Sequence, residues 1–134
     1  MKNTIRCAGI LILFLAAFEA TAQQSSNMIR QVHEAIRQGS ASTLSNFFHS
    51  RIDLELTGTD GNFSRDQAEM ILKDFFRKYP VKSYTIRHEG SSDDGSKYSI
   101  GLYESMDGSR YRVYVLLKQE DEGLRINQLQ FEED

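Results

Sequence analysis

Between Ser64 and Pro80 apolar residues recur at three- and four-residue spacing: Ala68, Ile71, Leu72, Phe75, Phe76 and Tyr79. That spacing predicts one amphipathic helix with a broad apolar stripe. Ser64 and Gln67 have the spacing of a capping box at its start. Pro80 ends it, because proline disfavours helical geometry at Tyr79 and has no N–H to donate. Three aromatic rings on one stripe must be covered, and the segments after Pro80 are the expected cover.

Those segments alternate apolar and polar residues with a period of two, the mark of half-buried strands. They run from Lys82 to Gly90, Lys97 to Ser105, Arg110 to Gln119 and Leu124 to Glu132. Asp93-Asp94-Gly95, Asp107-Gly108 and Asp121-Glu122-Gly123 separate them as turns. The expected result is an antiparallel meander. Its inward sets read as Tyr84, Ile86 and His88; Tyr98, Ile100 and Leu102; and Tyr111, Val113, Val115 and Leu117. In the last run Leu124 and Ile126 share one parity, while Leu129 and Phe131 take the other. A one-residue bulge near Asn127-Gln128 restores the apolar side and bends the sheet, and a bent sheet can cup a helix.

Upstream, Asn27 to Gln38 predicts a helix with Ile29, Val32 and Ile36 on one face and Gly39 as its stop. A shorter helix should open at Ser40 or Ser42, with Leu44, Phe47 and Phe48 on its apolar side. Arg51 to Thr57 alternates as a strand with Ile52, Leu54 and Leu56 inward. Asp60-Gly61 reads as a tight turn, after which Asn62-Phe63 pairs back briefly.

Residues 1–22 read as a signal peptide. Lys2 and Arg6 precede the apolar run Cys7 to Phe18, and Ala20-Thr21-Ala22 is a small-x-small cleavage signal that leaves Gln23 first. The run is short for a bilayer span, and Cys7 stands at its start, where a lipoprotein cysteine would follow it. Cleavage therefore leaves no membrane anchor and no cysteine, so the expected periplasmic or secreted product relies on an ordinary core. Residues 23–26 read as a flexible polar leader and 27–134 as a single domain. The net charge of −3 argues against nucleic acid as a partner.

The order α-α-β-(β)-α-β-β-β-β resembles the nuclear transport factor 2-like (SnoaL-like, cystatin-like) cone fold, an α+β architecture with helices in the concave face of a strongly bent antiparallel sheet. Ala35 to Phe48 looks like that superfamily's opening helix pair. More narrowly, the chain resembles a family of small exported Bacteroidetes proteins defined as a domain of unknown function. Ser64 to Ala68, Leu72 to Pro80, Tyr98 to Gly101 and Tyr111 to Val115 carry that likeness. None of these is a catalytic motif, and the family implies no activity. The superfamily implies pairing through the outer sheet face.

Few polar residues fall on apolar faces. His88 is in phase with Tyr84 and Ile86, and Glu104 with Tyr98, Ile100 and Leu102. They are the candidate acid–base pair, with Tyr84, Tyr98 or Tyr111 as phenolic donor. Strand-end residues that escape to solvent are the plainer reading of both. Tyr84, His88, Tyr98 and Tyr111 are the candidate lining of a small apolar ligand pocket. Tyr103, Tyr114 and Leu116 are expected on the outer face, flanked by Arg112 and Lys118, as a homodimer interface. His33 and His49 lack partners at metal-ligand spacing, and no cofactor motif is present. The leading expectation is a non-catalytic ligand-binding or protein-interaction module. The alternatives are an isomerase, cyclase or hydrolase using His88 and Glu104, and an accessory subunit of an envelope assembly.

Overall fold

The computed structural model describes residues 23–134, so the expected signal peptide lies outside the described residues. The chain divides into two compact units, Met1–Gln31 and Val32–Asp134. In the first, residues 23–31 are helical, and Arg30 donates to Asn27 Oδ1 at 3.1 Å. The expected polar leader 23–26 is therefore helical and not outside the helix. Nothing between Gln23 and Asn27 breaks a helix, since glutamine and serine are tolerated there. The helix covering 23–38 among the described residues is α1.

The second unit contains the end of α1, α2 (Ala41–Ser45), β1 (Phe48–Leu56), β2 (Thr59–Ser64), α3 (Arg65–Lys78), β3 (Val81–Ser91), β4 (Lys97–Ser105), β5 (Arg110–Glu120) and β6 (Gly123–Glu133). Gly39, at φ 63°, makes the left-handed link after α1. Ser40 caps α2, its Oγ accepting from the Thr43 N–H. Phe48 is not on the apolar side of this helix as expected. It opens β1, and its fully buried ring keeps the parity of Ile52, Leu54 and Leu56.

Leu56 pairs with Thr59, so the β1–β2 turn is Thr57-Gly58. Gly58 supplies the positive φ of 82°. The expected turn at Asp60-Gly61 instead lies inside β2, where Gly61 pairs with Leu54. Helix α3 has the expected capping box: the Ser64 N–H donates to Gln67 Oε1 at 3.2 Å, and the Gln67 N–H donates to Ser64 Oγ at 3.3 Å.

The six strands form one sheet in the order β2-β1-β6-β5-β4-β3. Among the described residues only β1 and β6 run parallel. In the pairing of β5 with β6, Leu116 faces Gln128 while Leu117 faces Ile126. Asn127 is thus the extra residue of the expected bulge, and Leu124, Ile126, Leu129 and Phe131 are all buried.

Helix α3 lies against the concave face. Phe75 meets Tyr103, Tyr111 and Phe131 at ring-centroid distances of 5.9, 5.3 and 4.7 Å. The Tyr103 hydroxyl donates to the Tyr79 carbonyl at 2.5 Å, which fastens the end of the helix to β4. Burial of these rings removes a large apolar area from water and contributes to the driving force.

Two strands depart from the expected phase. On β4 the inward residues are Ser99, Gly101, Tyr103 and Ser105, so Tyr98, Ile100, Leu102 and Glu104 point outward. On β3 Ile86 pairs with Gly101 and His88 with Ile100, which makes Arg87 a bulge. The bulge swaps the faces beyond it. His88 goes to the outer face, and Glu89, opposite Ser99, takes the inner one.

Candidate functional site

The proposed acid–base pair does not assemble. His88 is exposed on the outer face. Glu104 shares that face but lies four residues from the Ile100 that His88 opposes, about 13 Å along the strand. Glu104 instead pairs with Lys82 at 3.4 Å. The expected pocket lining is also split. Tyr84 and Tyr111 are buried on the concave side, whereas His88 and Tyr98 sit outside with ring centroids 5.9 Å apart. Two open hollows, of about 220 and 390 Å³, flank α3 and include none of these four.

A different polar group comes together inside the concave face. His33 lies on the stripe of α1 between Val32 and Ile36 and is 6% exposed. Its Nε2 shares a hydrogen bond of 3.1 Å with Ser99 Oγ. Its Nδ1 faces Glu89 Oε1 at 3.6 Å. The Tyr84 ring stands edge-on to it, with centroids 6.2 Å apart. Arg37, one helical turn on, donates from Nε to the Tyr84 carbonyl at 3.1 Å. The spacing Ile29, Val32, His33, Ile36 was a readable signal for His33. Ser99 and Glu89 carried none, because their inward placement depends on the phase of β4 and the bulge at Arg87.

Burial lowers the pKa of His33; Glu89 pulls it partly back up, and Arg37 pushes it down again. The imidazole is therefore held neutral. A carboxylate can only accept, so Glu89 favours the tautomer with the proton on Nδ1, leaving Nε2 to accept from the Ser99 hydroxyl. Burial also raises the Tyr84 phenol well above its ordinary range, an effect that Ser99 only partly offsets. The Tyr84 hydroxyl is buried without a well-formed hydrogen bond. Burial likewise raises Tyr103 and, with Tyr79 close by, pushes Tyr111 up to about 12.

Carboxylate, imidazole and hydroxyl in a row is an order that can activate a nucleophile. Two features of the geometry argue against that use. Ser99 is 1% exposed in the body of a sheet, and 3.6 Å is beyond a good hydrogen bond. The group is a polar joint between α1, β3 and β4, with His33 and Ser99 buried and Glu89 at its exposed edge.

The outer face is more apolar than expected, and its membership differs. Tyr103 was expected there, yet it is fully buried on the concave side. Tyr98, Ile100, Leu102, Tyr114 and Leu116 are all half-exposed on the outer side. Leu116 opposes Tyr98, and Tyr114 opposes Ile100. The Tyr98 and Tyr114 rings stack at 6.4 Å and 28°. Charged pairs border this row: Arg112 with Glu132, Lys82 with Glu104, and Arg110 with Asp134.

Residues 29–132 match the model of a family described as a domain of unknown function, DUF4783. Among solved structures, a DUF4783 protein from Bacteroides ovatus ATCC 8483 is 26% identical with a TM-score of 0.72, covering 78% of this chain and 93% of its own. A relative from Bacteroides uniformis ATCC 8492 is 21% identical with a TM-score of 0.73, covering 78% and 95%. A Nostoc punctiforme PCC 73102 domain of unknown function with a cystatin-like fold is 16% identical with a TM-score of 0.64, covering 86% and 78%. No curated protein matches the sequence. With its six-stranded bent sheet closed over α3 in the nuclear transport factor 2-like manner, the chain belongs to the DUF4783 family.

Proposed function

We propose that this protein is an exported, non-catalytic interaction module that works through the outer face of its sheet by pairing with a second copy of itself. The observation that carries this reading is the row of five half-exposed apolar residues across β4 and β5, centred on the Tyr98–Tyr114 stack. A contiguous apolar patch rimmed by charge is the usual anatomy of an interface. The rim carries both signs, through Arg112 and Glu132 and through Lys82 and Glu104. A face that bears both signs can complement its own copy across a two-fold axis.

Export rests on the basic residues, apolar run and Ala20-Thr21-Ala22 of the sequence. Among the described residues no helix is long and apolar enough to cross a membrane. The isomerase, cyclase or hydrolase reading loses support from the separation of His88 and Glu104.

Light scattering of the chain starting at Gln23 tests the pairing. The wild type should be dimeric at micromolar concentration, and Tyr114→Glu with Leu116→Glu should be monomeric and still folded. A monomeric wild type ends the proposal, and a dimer that tolerates both glutamates moves the interface elsewhere.

A further inference from the structure

We propose that His33 is a proton-operated fastening: neutral, it holds the last turns of α1 on β3 and β4, and protonated, it releases them. This device is independent of the outer face.

The geometry concentrates the joint on one imidazole. From β4, Ser99 Oγ meets Nε2 at 3.1 Å. From β3, Glu89 approaches Nδ1 at 3.6 Å, and the uncharged Tyr84 ring closes one side. From α1 itself, Arg37 brings a positive charge, partly balanced by Glu34 at 3.5 Å. On β5 the residue opposite Ser99 is the apolar Val115. Among the described residues, Glu89 is the anionic group that acts on the ring, and Arg37 the cationic one. The Glu89 side chain is 54% exposed, so water screens its attraction for an imidazolium.

Protonation therefore puts a second positive charge beside Arg37 in a site that burial has already made unfavourable for charge. It also places a proton on Nε2, so that the Ser99 hydroxyl can no longer donate there. The Tyr84 hydroxyl, buried without a well-formed bond, offers the turned Ser99 proton an acceptor but no negative charge. Among the described residues this segment keeps the bond from Arg37 to the Tyr84 carbonyl and the burial of Val32, Ala35 and Ile36.

Two measurements on the protein starting at Gln23 test the device. NMR titration of the His33 ring should give a pKa below the ordinary 6.5 and the Nδ1–H tautomer. Amide exchange at residues 35–38, corrected for intrinsic rates, should lose protection, by up to about tenfold, between about pH 7.5 and about pH 5.5, because the open form takes up the proton more readily than the closed one. Amides of β5 should show no such loss. In H33Q the protection of residues 35–38 should be flat with pH. A ring that titrates at or above 6.5, or wild-type protection that does not change with pH, overturns the proposal. Should H33Q fail to fold, the two wild-type series still decide.

Discussion

The ring of Tyr84 rests against Gly101. A Cβ on Gly101 would lie 2.6 Å from Tyr84 Cε2 and 2.9 Å from its hydroxyl. Tyr98 bears the same relation to Gly90 on the opposite face, at 2.5 Å. Each tyrosine covers a glycine of the neighbouring strand, a device that fills the gap a missing side chain leaves. The concave side of β4 is narrow in side chain because β3 and α1 supply the bulk, with Tyr84 over Gly101 and His33 over Ser99.

Gly101→Ala should therefore destabilise by about 1–3 kcal/mol through overpacking. Tyr84→Leu in the same background should relieve part of that loss, so the two changes should be non-additive in denaturant unfolding. Additive effects would show that the two residues do not compete for one space.

Phe75 is 5% exposed and contacts the rings of Phe76, Tyr79, Tyr103, Tyr111 and Phe131. Phe75→Ala should cost about 3–5 kcal/mol, a large share of the stability of a domain this size. A loss under about 1 kcal/mol would remove Phe75 from the centre of the core.

The β3–β4 and β4–β5 turns should loosen in acid. Asp94 accepts from the Ser96 N–H and Asp107 from the Ser109 N–H, each at 2.9 Å, and these bonds hold both carboxyls below their ordinary 3.8. A lowered folded-state pKa contributes stability at pH above 3.8 that is lost as pH falls through the folded value. NMR titration should show both carboxyls still ionised at pH 3.8. Midpoints at or above that value would remove the turn bonds from the account.

Protein recovered outside the cytoplasm should begin at Gln23 by intact mass, because Ala20-Thr21-Ala22 ends the apolar run. A secreted species that retains Cys7 would overturn this.

Signals confined to a few neighbouring residues were legible in the chain: the Ser64–Gln67 box, the stop at Pro80 and the stripe through Phe75. The bulge at Asn127 was legible too. Leu124 and Ile126 on one side of it and Leu129 and Phe131 on the other are all large and apolar, so their parity could not be satisfied without an extra residue. On β4 the alternation pointed to the wrong phase. Tyr98, Ile100 and Leu102 are the more apolar set, yet the structure buries Ser99, Gly101 and Tyr103. A strand shows its own side chains but not the volume its neighbours bring, and here Tyr84 and His33 fill the concave side from other elements. The bulge at Arg87 follows from that packing and not from local pattern, and it decides which of His88 and Glu89 meets His33. The parallel pairing of β1 with β6 joins residues more than 70 positions apart. Such a pairing is set by the closure of the sheet around α3, since no turn connects the two strands and no local periodicity encodes their register.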